Sequence, residues 1–163
     1  MLIRVLLRRI FTMRVRRQAR CAGPILHVNK YSSVTGHTSL GNNVNFNGMK
    51  IRGNGTVSIG DNFHCGEECI ILTDNHNYDK GTAIPYDSTY LVKETIIEDN
   101  VWLGSRVILL PGVHLGEGCI VQAGSVVTRS VPKFAIVGGN PAKQFKTRDV
   151  EHYNRLKSEK KFH

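Results

Sequence analysis

Residues 97–132 read, in sixes, IEDNVW, LGSRVI, LLPGVH, LGEGCI, VQAGSV and VTRSVP. The first place of each six holds Ile97, Leu103, Leu109, Leu115, Val121 or Val127. The fifth holds Val101, Val107, Val113, Cys119, Ser125 or Val131. An amphipathic helix repeats its apolar residues near 3.6 and a half-buried strand near 2. A period of six with two fixed inward places fits neither. It fits short strands separated by tight turns, three to a coil, so that about eighteen residues make one triangular rung.

Working outward, the sixes begin loosely at Val28, Val34, Leu40 and Phe46, shift phase by one residue near Asn54, and resume at Ile59, Cys65 and Ile71. The polar fill between them (Gly41, Asn42, Asn43, Asn47, Gly48, Gly53, Asn54, Gly55) suits corners that take left-handed backbone angles. After Thr73 the pattern breaks, and residues 74–95 read as one extended loop. Loops of that length without structure of their own are uncommon and often functional. Gly138-Gly139 and Asn140-Pro141 end the coil, and residues 149–163 read as a short basic helix and tail with Val150, Tyr153 and Leu156 at helical spacing.

The 163 residues suit one domain and carry a formal net charge of +9. Residues 1–20 hold seven Arg and no acid, residues 143–163 seven Lys or Arg against three acids, and the body between them eight basic and ten acidic residues. A near-neutral body with basic ends argues against a nucleic-acid surface spread over the fold. Residues 1–22 read as an amphipathic helix with Ile3, Leu6, Leu7, Ile10 and Phe11 on one face. Its Arg residues make it too charged to span a bilayer or to act as a secretory signal. Two readings stand: a helix resting on an anionic membrane, or a cap over the open first rung. Cys65 and Cys69 fall on inward places, where a thiol acts as a small hydrophobe. His64 points the other way, so these three do not converge as a metal site.

The six-residue rhythm resembles that of the hexapeptide-repeat acyltransferases. The resemblance covers residues 23–148 and implies an all-β fold, a left-handed parallel β-helix. The hand comes from the family alone, since parallel crossovers in general are right-handed. It also implies acetyl transfer from acetyl-CoA to a hydroxyl or amine, and a homotrimer with each site between two subunits. The acceptor expected is a sugar hydroxyl in surface polysaccharide or oligosaccharide synthesis. N-acetylation of an amino-sugar nucleotide, a non-catalytic β-helix scaffold and a zinc carbonic anhydrase are the alternatives. The expected location is cytoplasmic, with contact at the inner membrane face through the N-terminal helix.

By resemblance, His76 in Thr73-Asp74-Asn75-His76 matches the family's general base, with Asp74 or Asn77 able to orient its ring. The Gly104-Ser105 turn matches the donor of an oxyanion-stabilising N–H. Trp102 and Asn45 match residues near the acceptor, and Asp74 joins them as a substrate-side candidate. Ser105, Ala123, Thr128, Lys143 and Lys146 match positions along the coenzyme, with Arg148 a further candidate for its phosphates. No metal is expected.

Overall fold

The computed structural model describes residues 2–163; Met1, within the 1–22 segment, lies outside the described residues. The chain runs from helix α1 (Leu2–Gln18) through eighteen short strands to helix α2 (Val150–Ser158). Sixteen of the strands form three sheets of seven, five and four strands, which are the faces of a triangular prism, and the other two form a separate hairpin. Each pass of the chain visits all three faces. Trp102 therefore pairs in parallel with Ile120 on the seven-stranded face, and Ile108 with Val126 on the four-stranded one. This is a parallel β-helix.

The core explains the rhythm. All twelve first- and fifth-place residues from Ile97 to Val131 are buried. They stack into aliphatic ladders, such as Leu40, Ile59, Ile97 and Leu115 on the five-stranded face and Ile51, Ile71, Leu109 and Val127 on the four-stranded one. Burying a side chain of this size stabilises by about 1.5–3 kcal/mol. Corner chemistry is equally repetitive. Asn43, Asn62 and Asn100 all take positive φ, and their amides form a ladder, each Nδ2 donating to the next Oδ1 at 3.0 Å. Of the eight polar residues expected at left-handed corners, only Asn43, Gly48 and Gly53 adopt positive φ. Asn47 ends the strand Val44–Asn47, and the others turn the chain without positive φ.

The open first rung is covered by α1. Thr12 Oγ1 accepts from the Val28 N–H and Gln18 Oε1 from the Val34 N–H, and Arg16 donates to the carbonyls of Ala22, Gly23 and Pro24. These contacts satisfy backbone groups that a terminal rung would leave without partners. The packed face differs from the one expected. Val15 is fully buried and Phe11 and Ala19 pack beside the core, whereas Ile3, Leu6, Leu7 and Ile10 are exposed. The helix segment nearest the coil docks because it carries Thr12 and Gln18 as well as apolar residues.

At the other end, Ala135–Gly139 adds the last parallel strand, and the chain reverses into the antiparallel Ala142–Thr147. Asp149 caps α2, its carboxylate accepting from the His152 N–H at 2.9 Å.

Candidate active site

The interruption after Thr73 is a structured arm. Asp74–His76 and Tyr90–Val92 pair antiparallel, with Tyr90 opposite His76 and Val92 opposite Asp74. Chain returns to the five-stranded face at Thr95–Ile97, so Thr95, the last residue assigned to the loop, lies in the coil. Asp87 organises the tip, accepting from the N–H groups of Thr82 and Thr89 and from the Thr89 hydroxyl. Those bonds, the Thr89 hydroxyl foremost, hold its carboxyl down at about 2.

His76 sits at the base of this arm, half-buried. Its ring stacks on Tyr86 with centroids 3.8 Å apart and leans on Tyr90 at 4.6 Å. Its Nδ1 is buried and has no hydrogen-bond partner. Neither residue expected to orient the ring does so. Asp74 Oδ2 accepts from the Asn54 N–H and side-chain amide at 2.9 and 3.0 Å, which pins the arm to the extra-residue corner below it. Asn77 donates to Thr89 Oγ1 and accepts from the Lys80 N–H. Tyr86 and Tyr90 take the orienting part. The hairpin register, which nothing in the loop's sequence marks, sets Tyr90 beside the imidazole.

A second group gathers on the seven-stranded face. Asn45, His64 and Trp102 occupy one column, with Asn45 paired to His64 and His64 to Trp102. Asn45 Oδ1 accepts from Asn29 Nδ2 at 3.0 Å. Trp102 is about half exposed, at 51%. In the sequence His64 stands out only as a neighbour of Cys65 and Cys69. Its outward place ahead of an inward Cys65, like that of Trp102 ahead of Leu103, is the signal that sets it in this column. Burial pushes its imidazole below the ordinary 6.5, and its Nε2 is buried without a partner. α2 and the C-terminal residues arch over this face and enclose a cavity of about 480 Å³ lined by His64, Trp102, Arg148, Tyr153, Leu156 and Phe162.

At the next corner the coil leaves no room for a side chain. A Cβ on Gly66 would stand 2.5 Å from the Ser105 nitrogen, and one on Gly104 would press into the Ala123 backbone. Gly104 donates its N–H to the Val121 carbonyl at 2.8 Å and is spent on the ladder. Ser105 Oγ accepts from the Glu67 N–H at 3.1 Å, while the Ser105 N–H itself has no acceptor among the described residues. Of the two turn residues, Ser105 is therefore the one with a donor to offer.

Thr128 lies elsewhere. It follows Val126–Val127 on the four-stranded face, at the corner from which Asp74 and His76 also leave. Gly104, Ser105 and Ala123 lie at the corner that leads into that face. One chain thus carries the two groups of candidate residues on opposite edges of the four-stranded face. The outward side chains between them include Ile70, Leu72, Ile108, Leu110 and Val126, all half-buried.

Lys143 and Lys146 are exposed on Ala142–Thr147 at the end of the coil. Arg148 is engaged internally, donating Nε–H to the Gly118 carbonyl at 2.7 Å with its guanidinium over the Tyr153 ring. Its Nε–H is thus committed to the coil. Among the described residues, no group of three His, Cys, Asp or Glu converges as a metal site. All four cysteines are free.

Residues 94–129 match a family described as the hexapeptide repeat of succinyl-transferase. A chloramphenicol acetyltransferase of Klebsiella aerogenes is 35% identical over 86 residues, 45% of this chain and 41% of that enzyme. The chain therefore spans less than half the length of that relative. Among solved structures, the hexapeptide-repeat acetyltransferase of Vibrio cholerae O1 biovar eltor, complexed with acetyl-coenzyme A, is similar with a TM-score of 0.64 at 27% identity, covering 78% of this chain and 67% of that one. A galactoside acetyltransferase in complex with coenzyme A gives a TM-score of 0.68 at 25% identity, covering 80% and 66%.

Proposed function

We propose that this chain, a member of the hexapeptide-repeat acyltransferases by its repeat and its left-handed parallel β-helix, moves an acetyl group from acetyl-coenzyme A to a sugar hydroxyl, in the cytoplasm, during surface polysaccharide or oligosaccharide synthesis. The observation that carries the reading is His76. It is a half-buried imidazole with an unpartnered ring nitrogen, clamped by two tyrosines on the one arm that leaves an otherwise regular coil. Similar proteins solved with coenzyme A or acetyl-coenzyme A, one of them a galactoside acetyltransferase, support this donor and favour a sugar acceptor.

His76 takes the hydroxyl proton as the sugar oxygen attacks the thioester carbonyl. The tetrahedral oxyanion is met by the free Ser105 N–H. Collapse breaks the carbon–sulfur bond, releases the coenzyme thiolate and leaves the acetyl ester on the sugar. Trp102 offers a flat face to a sugar ring or to pantetheine, with Asn45 in the same column. Ala123 and Thr128 let the pantetheine arm lie close to the coil, and Lys143 and Lys146 meet its phosphates.

The two half-sites lie at opposite edges of one face, so a complete site needs a neighbouring copy. Three copies in cyclic symmetry would close three equivalent sites, with the aliphatic outer side chains of the four-stranded face buried between them.

Incubating the protein with acetyl-coenzyme A and a panel of sugars and amino sugars, and reading free thiol, tests this reading. His76→Ala should retain coenzyme binding and oligomeric mass and lose transfer by at least roughly 10²-fold. Transfer at the parent rate in that variant removes His76 from the reaction. Turnover confined to amino sugars replaces ester by amide formation.

A further inference from the structure

The first helix has two apolar faces, and the coil uses one. Phe11, Val15 and Ala19 pack on the first rung. At about 100° per residue, Leu2, Leu6, Ile10 and Met13 fall together on roughly the opposite side, with Ile3 beside them. All five are exposed, from 86% at Leu2 to 44% at Ile10. A lone surface leucine needs no explanation, but a continuous apolar stripe does.

The charge around the stripe selects its partner. Residues 1–20 carry seven Arg and no acidic residue. Arg9 borders the stripe and Arg17 closes its inner end, while the Arg14 guanidinium stands over the Tyr31 ring. A second copy of the chain would bring the same uncompensated positive charge to the contact, which like-charge repulsion opposes. The body of the fold, near neutral in charge, offers no opposing field. An anionic bilayer offers both halves of the match: an apolar boundary for the stripe, and phosphates for guanidinium groups whose stems can lie along it. No helix of the described residues is long and apolar enough to cross a membrane, so the geometry is that of a helix lying on the surface.

We propose that α1 lies flat on an anionic lipid surface, with Leu2, Ile3, Leu6, Ile10 and Met13 in the headgroup boundary and the coil standing on the helix's other face. Because the two faces are opposed, one helix can cap the coil and hold the membrane together. Docking of this kind depends on α1 alone and is independent of which acceptor is acetylated.

Vesicle flotation of the full chain tests it. The protein should float at least roughly tenfold more with phosphatidylcholine vesicles containing about 30% phosphatidylserine than with phosphatidylcholine alone, and should be released as salt rises to about 0.5 M. Leu6→Glu with Ile10→Glu should abolish flotation while circular dichroism and melting temperature hold, because both side chains point away from the coil. Leu2→Glu with Ile3→Glu, at the exposed tip, is the second variant should the first fail to fold, with the same loss expected. A parent chain that stays in solution with anionic vesicles, or a folded variant that floats like the parent, overturns the proposal. A drop in oligomeric mass on Leu6→Glu/Ile10→Glu, without vesicle binding by the parent, overturns it too and assigns the stripe to a second copy.

Discussion

The His76 ring is held by contact rather than by a hydrogen bond, and Tyr86→Ala measures what that contact contributes. The substitution removes the ring stacked 3.8 Å away and leaves Tyr90 at 4.6 Å. An aromatic pair of this kind is worth about 0.5–1.5 kcal/mol beyond its buried area. With each ~1.4 kcal/mol worth a factor of ten, the productive orientation of the imidazole should lose occupancy by about 2- to 13-fold. Removing His76, the proposed base, should cost at least roughly 10²-fold, so the two variants separate clearly. Tyr86→Phe keeps the ring and should stay within about twofold of the parent. Steady-state release of coenzyme thiol, run on the parent and the three variants, gives kcat and the KM for acetyl-coenzyme A. The KM should not move, because Tyr86 touches His76 and not the coil edge. Melting temperature should also hold, since Tyr86 lies on the arm at 45% exposure, outside the core. A Tyr86→Ala loss as large as that of His76→Ala would refute the reasoning. So would a Tyr86→Phe as damaging as Tyr86→Ala, which would move the role from the ring to its hydroxyl.

Two further outcomes probe the ends of the coil. Val15 is fully buried where α1 meets the first rung, so Val15→Ala should cost about 1.5–2.5 kcal/mol and lower the melting temperature by about 3–10 °C without changing kcat. A calorimetric melt identical to the parent's would show that α1 does not cap the coil. At the far end, burial alone would raise the Glu117 carboxyl, but the Lys157 ammonium and the Tyr153 hydroxyl outweigh it and hold it below its ordinary 4.5. A depressed carboxylate contributes stability above its unfolded value and loses it as pH falls through its folded one. α2 should therefore loosen as pH drops below 4.5, and the fluorescence of Trp102, the sole tryptophan, should report it from the cavity under that helix. Glu117→Gln should flatten that acid transition; a variant profile that overlays the parent's would place the titrating group elsewhere.

The sixes were legible because each inward place is a plain choice between core and solvent, and twelve such choices in a row agree. The hand of the coil was not, since the same six-residue rhythm winds either way. The arm announced itself as a gap, but its pairing did not. Tyr90, Leu91 and Val92 are all exposed, so no inward–outward alternation marks them as a strand. On α1, counting apolar residues favoured the longer stripe through Ile3 and Ile10. Docking favoured the segment whose Thr12 and Gln18 could answer open backbone donors, a requirement that hydropathy does not record.

The separation of the candidate residues had a different reason for staying hidden. A count of six separates inward from outward, but the face and corner a residue occupies depend on a count of eighteen, and the arm resets that count. Ser105 and Ala123, eighteen apart, share a corner, whereas Thr128, five residues beyond Ala123, has already crossed the four-stranded face to the corner of His76. Residues that resemblance assigns to one coenzyme are thus split by the width of a sheet within one chain. The proposed seam between copies would reunite them, and the aliphatic outer surface of that sheet, carrying Ile70, Ile108 and Val126 in one column, is what two such edges would close over.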